Sequence, residues 1–253
     1  MARVDLNSDL GESFGRYSLG LDDQVIPLVT SVNIACGMHA GDPCVMRRTV
    51  AAAAAADTSI GAHPGYPDLQ GFGRRDRALS PDEAYSFVLY QISALAGFCK
   101  AEGTALAHVK PHGQLYNRAA KDTALAEAIA AAVHDFDPTL VLVGLAGGKL
   151  IEAGRAANLA TAQEFFADRN YMADGTLVPR KQENAVIANE DFAVARVVRA
   201  VQEGTIEAVD GSTIEVAADT ICIHGDNAHA LEFAKKIREA LMQADVELKP
   251  YCE

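Results

Sequence analysis

The sequence predicts an α/β fold, an incomplete (β/α)7 barrel, on three observations. Seven short β-like runs recur along the 253 residues, most followed by a polar loop and a helix-like stretch. Such alternation implies a parallel sheet with helical crossovers. Within the runs polar residues share one face: Asp5, Asn7 and Asp9 oppose Val4 and Leu6, and His108, Lys110 and His112 oppose Val109. A doubly wound sheet, covered by helices on both sides, calls for apolar residues on both faces, so a polar inner face favours a barrel. Nearly every run also ends in a polar cluster, and in a parallel barrel those ends converge on one rim.

The runs are Arg3–Leu6, Val32–Ala35, Ser59–Ala62, Ala105–Lys110, Leu140–Leu145, Thr161–Phe166 and Thr220–Ile223. Asp42 before Pro43 supplies a capping acceptor ahead of a helix over Val45–Ala56. Ser80 with Glu83 forms a capping box that opens a helix to about Glu102. Asn189 opens another, stopped by Gly204, and a last helix is expected from Ala228 to Ala244. Thr205–Val216 reads as a hairpin turning at Asp210 and Gly211. A short eighth strand near Val246–Leu248 is left open. Asp168–Ile187 is a long polar loop, and loops of that length in compact domains are often functional.

No linker composition interrupts the chain, so one domain over 1–253 is expected. The net charge of −12 disfavours nucleic acid and anionic lipid as partners. Five cysteines, an odd number without a CxxC pair, indicate neither a disulfide framework nor a zinc ribbon. With no apolar signal core and no run of about 20 apolar residues, a cytoplasmic protein away from the membrane is expected.

The rim clusters hold the candidate site. They contain Asn7, Asp9 and Glu12; Asn33 and His39; His63, followed by Arg74 and Arg75; Lys110, His112 and Tyr116; Glu164, Asp168 and Arg169; and His224 with Asp226. Lys110 on an inner barrel face is costly unless paired, so a carboxylate or an anionic ligand is implied beside it. Asp42 reads first as a helix cap, Cys36 as a small buried thiol and His134 as a surface residue. Arg74 and Arg75 fit either an exposed loop or a substrate clamp. Gly144–Leu150 fails as a phosphate loop, since Leu150 stands where Ser or Thr would meet magnesium.

The segments DLNSDLGE, NIACGMHAGD, GAHPGYPD with GFGRR, VKPHGQLYN, EFFADRNY and HGD occur in this order from residue 4 to about 230. In them the chain resembles the LamB/YcsF family. The resemblance implies an incomplete barrel related to the polysaccharide deacetylase and glycoside hydrolase barrels. It also implies a part in ATP-dependent hydrolysis of 5-oxoproline to glutamate, together with two further subunits, B and C. ATP, with Mg2+, is then a co-substrate, and neither a tightly bound cofactor nor a resident metal is expected. On this reading Asp9 or Glu12 orients water, His39 or His63 carries the proton to the ring nitrogen, and Lys110 with Arg169 neutralises anionic charge. Asn7, Asn33, Arg74, His112, Tyr116, Glu164, Asp168, Arg169, His224 and Asp226 are the expected substrate-binding set. The competing expectations are a metal-dependent deacetylase of N-acetylated sugars, with Asp9, His39 and His63 on the ion, and a non-catalytic subunit that binds a small acid.

Overall fold

β1, Arg3–Leu10, sets the pattern for the whole molecule. Its residues Val4, Leu6 and Leu10 are buried in the main apolar core, while Asp5, Asn7 and Asp9 point the other way. The computed structural model describes residues 2–223 and 228–251. In it β2 (Ser31–Ala35), β3 (Ser59–His63), β4 (His108–Val109), β5 (Val141–Leu145) and β6 (Thr161–Phe166) follow in order, each parallel to the one before. β7 (Thr205–Glu207) and β8 (Thr213–Glu215) form the expected antiparallel hairpin, with Gly211 at φ +85°. β9 (Thr220–Cys222) pairs with both β6 and β1, and so closes a ring of seven parallel strands. β10 (Glu247–Leu248) pairs beside Arg3 and Val4 at the start of β1, outside the ring.

The helices form the outer layer. α1 (Asp22–Val25) is a single turn, and α2 (Pro43–Ala55) starts where Asp42 accepts hydrogen bonds from the Cys44 and Val45 amides. α3 (Pro81–Ala101) carries the full Ser80–Glu83 capping box, whose reciprocal bonds satisfy donors that a helix start leaves open. α4 (Gly113–Ala119), α5 (Thr123–Phe136) and α6 (Lys149–Ala156) follow β4 and β5. α7 (Glu190–Glu203) runs from the Asn189 cap to Gly204, which takes the left-handed conformation that ends the helix. α8 (Ala228–Gln243) precedes β10. None of the described helices is long and apolar enough to cross a membrane. β4 is shorter than the sequence run because only His108 and Val109 have ladder partners on both sides, although the Ala107 and Lys110 amides still bond to Ile60 and Ala62.

The ring interior is layered. At the lowest polar layer Asp5 accepts hydrogen bonds from Thr30 (2.5 Å), Ser31 (2.8 Å) and Thr220. Val141, Val143 and Ala162 form a separate small apolar cluster, against which Tyr251 packs. His108 crosses the next layer and donates to Asn33 Oδ1 at 2.7 Å. That crossing requires Gly61: a Cβ there would stand 2.0 Å from the His108 ring.

Burial raises the Asp5 carboxyl from 3.8 to about 6, against the pull of its three hydroxyl donors. A carboxyl raised on folding binds its proton more tightly in the native state, so its stabilising contribution is complete below about pH 4 and lost as pH rises through about 6. The stability difference between wild type and Asp5→Asn is therefore expected to fall by roughly 2 kcal/mol between about pH 4 and about pH 7. Urea unfolding across that range measures it, and a pH-independent difference would contradict the assignment.

Candidate active site

Lys110 leaves β4 pointing into the ring, where it is 2% exposed. Its ammonium lies 2.9 Å from Asp9 Oδ1, 2.6 Å from Glu164 Oε1 and 3.1 Å from Asn7 Oδ1. Burial works against the charge, but the two carboxylates outweigh it and hold Lys110 well above the ordinary lysine range. Asn33 donates to Asn7 Oδ1 (2.7 Å) and Asp9 Oδ1 (2.9 Å), and Asn7 donates to Glu164 (3.1 Å). Cys222 sits 3.3 Å from the ammonium, its thiol kept well above the usual range by burial. His108, below, is depressed to about 3, first by burial and then by Lys110, and stays neutral.

Three other histidines meet above this network. His63 Nδ1 is 2.7 Å from the Lys110 carbonyl, and its Nε2 is 3.3 Å from Asp9 Oδ2. His112 Nε2 is 2.9 Å from the Phe72 carbonyl, and its Nδ1 is 3.0 Å from His63 Nε2. His39 stacks on His112 with ring centroids 3.6 Å apart, and its Nε2 lies 3.4 Å from Glu12 Oε1. Burial, followed by the neighbouring imidazoles, holds His39 and His112 well below the ordinary histidine value, so both are neutral near physiological pH. The turn after β3 makes this packing possible. Phe72 takes φ +53°, a costly conformation for a bulky residue, and sets its ring edge-on to both His39 and His112. Gly73 follows at φ +61°, where a Cβ would come within 2.9 Å of both histidines. Arg75 braces the turn by gripping Asp68, whose carboxyl falls to about 2 chiefly through that contact.

The network floors a cleft of about 1070 Å³. Asp9, Glu12, Lys110 and His112 reach it from the barrel, Tyr116, Leu145 and Phe166 also line it, and so do the cations Arg74, Lys121, Arg180 and Lys181 together with the acids Asp76 and Asp122. The Tyr116 phenol is raised well above its normal value by burial and then by Glu164. The loop 168–187 forms one wall. Arg169 cross-links it internally by donating to Val178 O (2.6 Å) and Ala185 O (3.1 Å), and burial lowers this guanidinium to about 10.

The expected residues thus separate by position. Asp9, Glu12, Lys110, His112, Arg74, Tyr116 and Arg169 border the cleft. Asn7, Asn33 and Glu164 are buried beneath it, and His39 and His63 are buried at its floor without lining it. Asp168, half-buried at the root of the loop, also does not line it. His224 and Asp226 lie outside the described residues. Asp42 is the helix cap, Cys36 a buried thiol raised by burial to about 12, and His134 is exposed. Sequence reasoning misses Arg180 and Lys181, for which the only signal is their place in a long polar loop.

With this geometry in place, comparison identifies the lineage. The sequence profile of the LamB/YcsF family matches residues 4–253. The chain belongs to the LamB/YcsF family. A relative from Tolumonas auensis, described as the A subunit of 5-oxoprolinase, is 60% identical over 98% of this chain and 99% of its own. One from Bacillus subtilis with the same description is 56% identical over 100% and 98%. The crystal structure of a lactam utilization protein from Thermus thermophilus superposes with a TM-score of 0.93 at 49% identity, covering 98% of this chain and 100% of that one. A β-N-acetylhexosaminidase from Streptomyces coelicolor, at TM-score 0.51 and 12% identity over 97% of this chain and 64% of that one, shares the barrel fold alone.

In this LamB/YcsF barrel the buried lysine is shared by two carboxylates. Lys110→Met is expected to cost about 3–5 kcal/mol, because it leaves Asp9 and Glu164 without their shared cation. Glu164→Gln in the same chain is expected to restore part of that loss. Urea unfolding of the single and double variants tests the coupling, and additive losses would contradict it.

Proposed function

We propose that this chain is the lactam-opening subunit of a multi-subunit 5-oxoprolinase, working in the cytoplasm with subunits B and C. The reaction converts 5-oxo-L-proline, ATP and two waters to L-glutamate, ADP and phosphate. The observation that carries the reading is Asp9, held by Lys110 and Asn33 through Oδ1, in a cleft whose lining holds more cations than acids. The chain as a whole carries a net charge of −12, so the excess of cations lining this cleft favours an anionic ligand against the overall field.

A lactam is a resonance-stabilised amide, and activation by ATP makes it open to water. Transfer of the γ-phosphoryl group to the lactam oxygen, with Mg2+ as the nucleotide's counter-ion, leaves an electrophilic ring carbon. Water adds to that carbon, its proton passing to Asp9. The ring C–N bond then breaks, and Asp9 returns the proton to the departing nitrogen. The resulting acyl phosphate is hydrolysed by the second water. Arg74, Arg180 and Lys181 bind the substrate carboxylate and the phosphate, where charge-assisted bonds are strongest. Lys110 fixes the orientation of Asp9 through its Oδ1. The proton transfer expected of His39 or His63 moves to Asp9, because neither histidine lines the cleft.

Glutamate release is measured with this chain alone, with subunits B and C alone, and with all three. Activity is expected only in the complete mixture, with a fall of about 10²–10⁴-fold for Asp9→Asn in a chain of native circular dichroism. Equal glutamate release without this chain, or full activity from the variant, would refute the proposal.

A further inference from the structure

We infer that Glu12, His39, His63 and His112 form a binding site for one first-row divalent cation, with zinc as the best match. The proposal stands apart from the reaction assigned above, since it rests on the four side chains alone. Their ligand atoms all lie within 4.8 Å of one another.

The hydrogen bonds on the far side of the rings decide the matter. His63 Nδ1 and His112 Nε2 each face a backbone carbonyl, at 2.7 and 2.9 Å. A carbonyl only accepts, so each of these nitrogens carries the ring's N–H. A neutral imidazole has one N–H. With both rings neutral, the inward nitrogens, His63 Nε2 and His112 Nδ1, would present lone pairs to each other at 3.0 Å, and His63 Nε2 would present the same lone pair to Asp9 Oδ2 at 3.3 Å. Two lone pairs at that distance repel unless positive charge lies between or beside them. His39 adds a third imidazole, 1% exposed, neither of whose nitrogens makes a hydrogen bond among the described residues. Glu12 Oε1 stands 3.4 Å from His39 Nε2 and 3.6 Å from His112 Nδ1.

The spacing suits an ion. Four ligands bound tetrahedrally at zinc distances sit roughly 3.3 Å apart, so the nearest pairs already match and the farthest must close a little. Three imidazoles and a carboxylate are a borderline donor set that favours zinc and its neighbours over magnesium or calcium. Carbonyls that hold the remote N–H of two ligating rings are the usual outer support of such sites. A proton shared by His63 and His112 would relieve their lone pairs, but it would not account for a third buried imidazole and a carboxylate gathered around them. Because Glu12 and His112 also line the cleft, a cation here would face the substrate, where it can polarise a carbonyl or activate water.

The intact chain, stripped with chelator and dialysed, is titrated with Zn2+ and separately with Co2+. One equivalent of Zn2+ is expected to bind, and the Co2+ form is expected to show the intense visible bands of a four-coordinate site. His63→Gln and His112→Asn should each weaken Zn2+ binding by about 100-fold or more, with circular dichroism unchanged. Absence of stoichiometric binding by wild type would overturn the proposal in favour of a shared proton. Binding that survives both substitutions would overturn it by placing the ion elsewhere. Neither readout depends on glutamate release, so its failure and failure of the proposed reaction are separable.

Discussion

A lysine ammonium held inside a closed ring of strands governs the rest of this structure. Removing such a charge from water costs several kcal/mol, and the cost is met only when counter-charges and hydrogen bonds are preplaced. Asp9 and Glu164 supply the charges from two strands that are far apart in sequence, Asn7 Oδ1 accepts a further bond from the ammonium, and Asn33 donates to Asp9 and Asn7 in turn. This need explains why the strands carry polar residues on one face, and why the sheet closes. An open sheet would expose the network to water or press it against a helix. Within the ring it is enclosed by strands and opens only toward the cleft.

The same enclosure shapes the chemistry above it. His39 and His112 stack closely beside the turn because Gly73 lacks the Cβ that would meet both of them and Phe72 accepts a left-handed backbone. Asp68 and Arg75 stabilise that turn, and Arg169 does the same for the loop 168–187 across the cleft. Two loops with little secondary structure are thus held by a few buried polar contacts. Strain and burial near the floor are offset by ion pairs and apolar packing farther out.

Most of the fold was legible because local signals agreed. The Asp42 cap, the Ser80 and Glu83 box, Gly204 and the turn at Gly211 each depend on neighbours within a few residues, and each appears where expected. The seven ring strands follow from alternation of polar and apolar residues, a period of two that reads directly from sequence. The rim clusters were legible too, since a parallel barrel brings strand ends together. The depth of each residue within the rim was not. Glu164 and Tyr116 look equally available in sequence, yet one is sealed beneath Lys110 and the other lines the cleft.

Residue types, the alternating pattern and the capping motifs determine the barrel and nominate its polar rim, because these are short-range properties of the chain. Tertiary structure alone decides which nominees touch. Glu12, His39, His63 and His112 follow four strands with no common spacing, and the side-by-side pairing of β1 to β4 with the turns beyond them carries their ligand atoms within 4.8 Å. The backbone carbonyls of Phe72 and Lys110, which set the inward-facing nitrogens of two of those rings, leave no mark in sequence at all. Distance, burial and proton position arise from long-range packing, which a one-dimensional pattern does not record.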